Sequence, residues 1–182
     1  MNKDKSALIV IDLQNDFTQK NGKVHACISQ VDIIVPRINN LIKDSENKNV
    51  EVIYLKTEWK NLLIKLLTKN SVKPGSSGAQ IDERLTSLNK TVFMKNNKNI
   101  FSSQEFIQYI NTNKINKLYL TGLAVEHCIK VSFDEAKSLN LDVYIVSDAV
   151  ISYKCTELIP LLNKHFPKEK LVTINSLLTK VL

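Results

Sequence analysis

Three residues of reactive type stand far apart in the chain, each soon after a short apolar run: Asp12 after "ALIVI", Lys95 after "TVFM" and Cys128 after "LYLTGLAV". A thiol is an effective nucleophile only as thiolate, and a nearby cation, a helix N-terminus or an adjacent base each promote that form. If the three meet, Lys95 supplies a full positive charge, Asp12 a proton acceptor, and the helix start around Cys128 a partial positive charge. Such a set performs nucleophilic acyl chemistry, with the sulfur adding to a carbonyl carbon. Each residue also has a plainer reading. Asp12 suits a turn or helix cap, Lys95 an exposed charge and Cys128 a small core residue. Joint placement is what favours catalysis, and it depends on the elements that carry them.

Those elements alternate in type. Residues 7–11 form an uninterrupted apolar run of the kind buried on both faces of a parallel sheet, and it delivers Asp12 to its carboxyl end. Val31, Ile34, Ile38, Leu41 and Ile42 then recur at helical spacing. A second strand is expected over 50–55, a third over 91–94 ending at Lys95, a fourth over 118–121 closed by Gly122, a fifth over 143–146 and a sixth over 171–174. Phe106, Ile107 and Ile110 mark one intervening helix. Ile129, Phe133, Ala136 and Leu139 mark another over about 125–140, with Cys128 in its first turn. Further helices are expected over 157–165 and in the tail "SLLTKVL". The stretch from 58 to 84, with its "KPGSSG" loop, is the least regular.

This alternation implies βαβ units and right-handed crossovers. The expected fold is α/β: a three-layer sandwich with a mostly parallel central sheet of about six strands and helices on both faces, Rossmann-like, in one domain over 1–182. Ligands in such sheets bind beyond the carboxyl ends of the strands, where Asp12, Lys95 and Cys128 all fall.

Composition narrows the function classes. The chain has 182 residues, 43% hydrophobic and 24% charged, which suits a globular domain with a sizeable core. Its formal charge of +7 invites an acidic partner, but the lysines are scattered, often beside asparagine, and form no basic run or nucleic-acid signature. Neither nucleic acid nor a membrane is expected as a partner. The N-terminal apolar run is too short to span a bilayer and lacks a cleavage site. Three cysteines, Cys27, Cys128 and Cys155, are an odd number and read as reduced thiols in a cytoplasmic protein.

Three segments carry a resemblance. "ALIVIDLQNDF" is similar to the opening signature of the isochorismatase-like and nicotinamidase-related cysteine hydrolases. "LTGLAVEHCIKVSFDEAKSLNLDVYIVSDAV" resembles their nucleophile segment, and "VFMKNNKNIFSS" their lysine segment, with Asn99, Phe101 and Ser103 at the family's offsets. The resemblance implies that Asp12 is the general base, that Lys95 polarises it and the nucleophile, and that Cys128 attacks a carbonyl carbon. It implies a cis peptide between Leu123 and Ala124, and an oxyanion hole from the amides of Ala124 and Cys128. Phe17, Trp59, Phe101 and Val125 are the expected substrate pocket. Asp16 is expected to fix its loop through backbone hydrogen bonds, and His127 to lie at the pocket rim or in packing.

One departure bears on the substrate. Nicotinamidases hold a metal through an aspartate and histidines after the second strand. Here that stretch is "YLKTEWKN", with Glu58 and Lys60 at the matching places and no histidine between His25 and His127. A protonated ammonium ligates no metal. The expectation is an enzyme with no metal and no cofactor that cleaves an amide or carbamoyl C–N bond of a small molecule through a Cys128 thioester. The alternatives are isochorismatase-type vinyl ether hydrolysis, nicotinamidase activity proper, and an inactive member that serves as a binding or scaffold protein. The resemblance also implies a homo-oligomer, a dimer or larger, whose loops close one another's sites.

Overall fold

A computed structural model describes residues 5–48, 50–86 and 91–180. The first apolar run lies within strand β1 (Lys5–Ile11), where Leu8 and Val10 enter one apolar cluster and Ala7, Ile9 and Ile11 another on the opposite face. Successive strand side chains point to opposite faces, so a strand covered on both sides must be apolar throughout. The chain continues through a helical turn α1 (Asn15–Thr18), α2 (Ile28–Asn47), β2 (Glu51–Thr57), a short α3 (Leu62–Leu67), β3 (Thr91–Lys95) and α4 (Gln104–Thr112). Then follow β4 (Ile115–Leu123), α5 (Lys130–Ser138), β5 (Asp142–Ile151), α6 (Leu158–His165), β6 (Leu171–Val172) and α7 (Ile174–Lys180).

All six strands pair in parallel, in the order β3-β2-β1-β4-β5-β6. Helices α2 and α7 cover one face through Val31, Ile34, Ile38 and Leu177. Helices α4, α5 and α6 cover the other through Phe106, Phe133 and Leu162. The architecture is thus the expected three-layer α/β sandwich. From β1 the chain steps outward to β2 and β3, then returns to place β4 on the other side of β1. The order reverses between β1 and β4, and this opens a crevice beyond their carboxyl ends.

Several local expectations are corrected. Cys128 does lie in the first turn of a helical run over 125–138, as expected, but that turn (Val125–Ile129) is π-helical, leads directly into α5 and includes a hydrogen bond from Ile129 N to Ala124 O of 3.1 Å. The irregular stretch holds α3, which periodicity could not reveal because its leucines Leu62, Leu63, Leu66 and Leu67 are all exposed. The tail helix starts at Ile174, and Val181 and Leu182 of the expected tail lie outside the described residues. Cys27 and Cys155 are joined in a disulfide, leaving Cys128 free. The reading of three reduced thiols fails here, because partners 128 residues apart meet only in the fold, where the N-terminus of α2 packs beside the loop after β5. Its inference of a reducing compartment loses its premise. Among the described residues, no helix is long and apolar enough to cross a membrane.

Candidate active site

The crevice holds the buried pair of Asp12 and Lys95. Asp12 follows β1 with φ of 55°, a left-handed conformation that costs an L-residue roughly 1–2 kcal/mol. Its carboxylate meets two groups from neighbouring strand ends: Thr57 Oγ1 donates to Asp12 Oδ1 at 2.8 Å, and Lys95 Nζ donates to Oδ2 at 2.9 Å. Lys95, the last residue of β3, also donates to Thr57 Oγ1 at 2.5 Å, to the carbonyl of Asn97 at 3.2 Å and to Cys128 Sγ at 3.5 Å. The structure therefore brings Asp12, Lys95 and Cys128 within hydrogen-bonding reach. The side chains of Lys95 and Asp12 are 0% and 3% exposed, so little water screens the pair.

Thr57 was not anticipated, although a polar residue closing β2 beside β1 is the kind of strand-end position that meets a ligand crevice. Gln14 was also missed as a positioning residue. Its fully buried amide accepts from Thr57 N at 2.7 Å and donates to Thr57 O at 2.9 Å and Ala79 O at 3.0 Å, which holds the end of β2 against the loop after β1. Asp16 fixes the next stretch, with Oδ2 accepting from Val72 N at 2.7 Å and Oδ1 from Lys23 N at 3.3 Å. A Cβ at Gly78 would lie 2.1 Å from Asp16 Oδ2, so that carboxylate requires glycine opposite it.

The electrostatics depart from the simple thiolate picture. Burial opposes the Lys95 charge, but Asp12 and Cys128 beside it outweigh burial and raise its pKa above the ordinary lysine value. For Cys128, burial and then Asp12 prevail over Lys95 and push the thiol up to about 12. The resting site at neutral pH thus holds an ammonium and a protonated thiol, the thiol hydrogen-bonded to both Asp12 and Lys95.

The turn that carries the sulfur is tightly built. Gly122 has φ of 95°, and a Cβ there would come within 2.1 Å of Ile11 O, so β4 approaches β1 as closely as glycine permits. The Leu123–Ala124 peptide that follows is cis. Above the turn lies a cavity of about 270 Å³ bordered by Asp12, Phe17, Thr57, Trp59, Leu123, Ala124, His127, Cys128 and Tyr153, with Lys98 also at its wall. Its surface is mostly apolar.

Of the four expected wall residues, Phe17 and Trp59 line this cavity, and Phe101 and Val125 do not. Both belong to the apolar cluster on the opposite face, Phe101 against Phe106 with ring centroids 5.8 Å apart and Val125 fully buried. Tyr153, which was not anticipated, takes part in the wall beside His127, which was expected at the rim or in packing, their rings 5.8 Å apart. Burial, then Lys98, lowers the His127 pKa, so its imidazole is neutral. Burial and the nearby Asp12 and Cys128 raise the pKa of Tyr153, which stays a neutral phenol. A larger cleft of about 390 Å³ runs along the outer edge of β3 but includes neither Asp12 nor Cys128.

The residues after β2 do not fit a metal. Glu58 pairs with Lys56 at 3.0 Å, and among the described residues no three His, Cys, Asp or Glu side chains gather as a ligand set. A carboxylate engaged by an ammonium, with Lys60 two residues on, is a poor donor set for a divalent ion.

Comparison with known proteins agrees with this architecture. The model of the isochorismatase domain family matches residues 6–157. The chain is 24% identical over 145 residues to an N-carbamoylsarcosine amidase of Arthrobacter, covering 73% of this chain and only 54% of that protein's length. An isochorismatase-like hydrolase from Alkaliphilus metalliredigens superimposes with a TM-score of 0.86 at 17% identity, covering 96% of this chain and 98% of the other. A pyrazinamidase of Pyrococcus horikoshii, solved in complex with zinc, gives 0.77 at 21% identity, covering 93% and 99%.

Proposed function

The chain belongs to the isochorismatase family of hydrolases, and from that premise we propose that it hydrolyses the C–N bond of a small amide or carbamoyl compound through a thioester on Cys128. The observation that carries this reading is the position of Lys95 Nζ, 2.9 Å from Asp12 Oδ2 and 3.5 Å from Cys128 Sγ, beneath a cavity of about 270 Å³. The chain works as one hydrolase domain over its 182 residues. The similarity to an N-carbamoylsarcosine amidase supports the amidase class.

In this mechanism Asp12 accepts the Cys128 proton as the sulfur adds to the substrate carbonyl carbon. A neutral thiol suits such concerted transfer, because no thiolate need persist in a buried site. The amides of Ala124 and Cys128, in the turn below the cavity, hold the oxyanion. Collapse of the tetrahedral species breaks the C–N bond, and the amine leaves with the proton held by Asp12. Asp12 then deprotonates a water that attacks the thioester, releasing the acid and restoring the thiol. Lys95 holds the Asp12 carboxyl group beside the sulfur, and Phe17 and Trp59 hold a small planar group.

The test is ammonia release from a panel of primary amides and N-carbamoyl compounds. Turnover of at least one is expected, unaffected by exhaustive chelation and lowered about 10³-fold or more in Cys128→Ala. Retained turnover in that variant would sink the reading. The exposed leucines of α3 support a homo-oligomer, which light scattering checks: a lone chain mass of 20.7 kDa would exclude it.

A further inference from the structure

The disulfide that the sequence did not foretell ties down the loop that carries Tyr153 to the wall of the same cavity. Cys27 is the N-cap of α2, and Cys155 lies in the loop after β5, two residues beyond Tyr153. That loop is gripped from two sides. From α2, Gln30 Oε1 accepts from Ser152 N at 2.9 Å, Gln30 Nε2 donates to the carbonyls of Lys154 and Cys155 at 3.1 and 3.2 Å, and Cys27 N donates to Ser152 O at 3.2 Å. From the nucleophile turn, Glu126 Oε1 accepts from Ser152 Oγ and from Tyr153 N, both at 2.9 Å. Between the two grips, the Tyr153 ring enters the cavity wall beside His127 and Cys128.

We infer that the Cys27–Cys155 bond and Glu126 are positioning groups for Tyr153, and that reducing the bond loosens the substrate-binding wall while the Asp12, Lys95 and Cys128 group stays assembled. The inference rests on the hydrolase reading of this cavity. Segment Ser152–Cys155 belongs to no helix or strand, so its place depends on side-chain grips and on the one covalent tie. Cys155 is exposed while Cys27 is buried, so a dithiol reaches the Cys155 sulfur first. Its thiolate bonds to that sulfur and displaces the Cys27 thiolate. Its second thiol then closes on the first, releasing Cys155. Two electrons and two protons pass from the dithiol to the protein, which ends with two thiols. None of the catalytic contacts of Lys95 runs through this loop, so the effect falls on substrate binding more than on the chemical step.

The test compares the wild-type enzyme before and after dithiothreitol with the Cys27→Ser/Cys155→Ser double variant, well below the melting temperature of each. A bond closing a loop of 128 residues also stabilises the whole fold, so a lower Tm alone decides nothing. The expected result is a KM raised about fivefold or more by reduction and by the double variant alike, with kcat changed less than about twofold. Tyr153→Ala in the oxidised protein raises KM similarly and makes it indifferent to dithiothreitol. An unchanged KM on reduction, or a Tyr153→Ala enzyme as sensitive to dithiothreitol as the wild type, overturns the inference. A protein that hydrolyses nothing in the panel fails the hydrolase reading instead. Hydrogen exchange at the Ser152–Cys155 amides then tests the positioning separately: it accelerates about tenfold or more on reduction if the bond holds the loop, and unchanged exchange overturns that claim.

Discussion

Two buried aspartates each face a cation, and they are used in opposite ways. Asp82 meets Arg84 in a fork: Arg84 Nε donates to Asp82 Oδ1 at 3.0 Å and Nη2 to Oδ2 at 2.6 Å, and the remaining guanidinium donors reach Asp32 and the carbonyl of Thr18. The fork, together with further bonds to Asp82 from Arg84 N and Thr18, saturates the carboxylate and leaves no place for a third reactive group. Asp82 N also donates to Leu13 O, so the pair staples residues 82–85 against the loop after β1. Asp12 meets Lys95, whose compact ammonium has three protons to share among four acceptors, one of them the sulfur of Cys128. The Arg84 side chain is 37% exposed and that of Lys95 is 0%. A saturated pair at the rim is structural. A pair shared with a thiol in the dry crevice, with a cavity above, is equipped for proton transfer.

The comparison breaks first at Lys95. Lys95→Met leaves Asp12 buried without its cation, which costs about 3–5 kcal/mol of stability. Amide turnover falls about 10³-fold or more at the same time. Adding Asp12→Asn removes the stranded charge, so the double variant recovers much of the stability in urea unfolding and none of the activity. Turnover returning together with stability would show that the pair is only a staple, like Asp82 and Arg84. Thr57→Val is the sharper and smaller probe. It deletes a hydroxyl hydrogen-bonded to both charges, for a loss of about 1.5–3 kcal/mol divided between stability and kcat, and Thr57→Ser restores both. A Thr57→Val enzyme with unchanged kcat would remove Thr57 from the positioning of Asp12.

The Asp12 and Lys95 side of this contrast was legible in the sequence, the Asp82 and Arg84 side was not, and the reason is spatial. Strands β1 and β4 showed themselves because an all-apolar run is the signature of burial on both faces, and the residues just after such runs are the ones a parallel sheet offers to a ligand. That logic located Asp12, Lys95 and Cys128. It located Thr57 no less, but a threonine closing a strand attracts no notice until its neighbour is known to be an aspartate. The exchange of Phe101 and Val125 for Tyr153 has a similar origin. Which face of the sheet a residue meets depends on the path of the loop that carries it, and Phe101 follows a turn that delivers it to α4 rather than to the cavity. Helix α3 has no apolar stripe directed at this core, so periodicity passes over it. The disulfide joins residues whose proximity arises only when α2 and the loop after β5 are packed. The neutral thiol needed burial and three-dimensional charge together; sequence supplies the charges without the distances.

The smallest effect concerns the staple, and it is read through pH. Burial raises the Asp82 pKa, but its hydrogen bonds to Arg84 and Thr18 and the Arg84 charge outweigh burial and hold it below the ordinary 3.8. A carboxyl whose folded pKa is depressed contributes stability above its unfolded pKa and loses that contribution as pH falls through the folded value. Asp82→Asn keeps one acceptor and the shape but not the charge, so it is expected to cost about 1 kcal/mol near neutrality. The difference from wild type should stay level from pH 7 to pH 5 and close progressively below about pH 4, measured as urea midpoints at each pH. Asp82 borders a separate rim cleft and not the cavity above Cys128, so kcat should change by less than about twofold. An Asp82→Asn enzyme that kept its stability and lost turnover would reverse the assignment, because a saturated pair at the rim would then be participating in the chemistry.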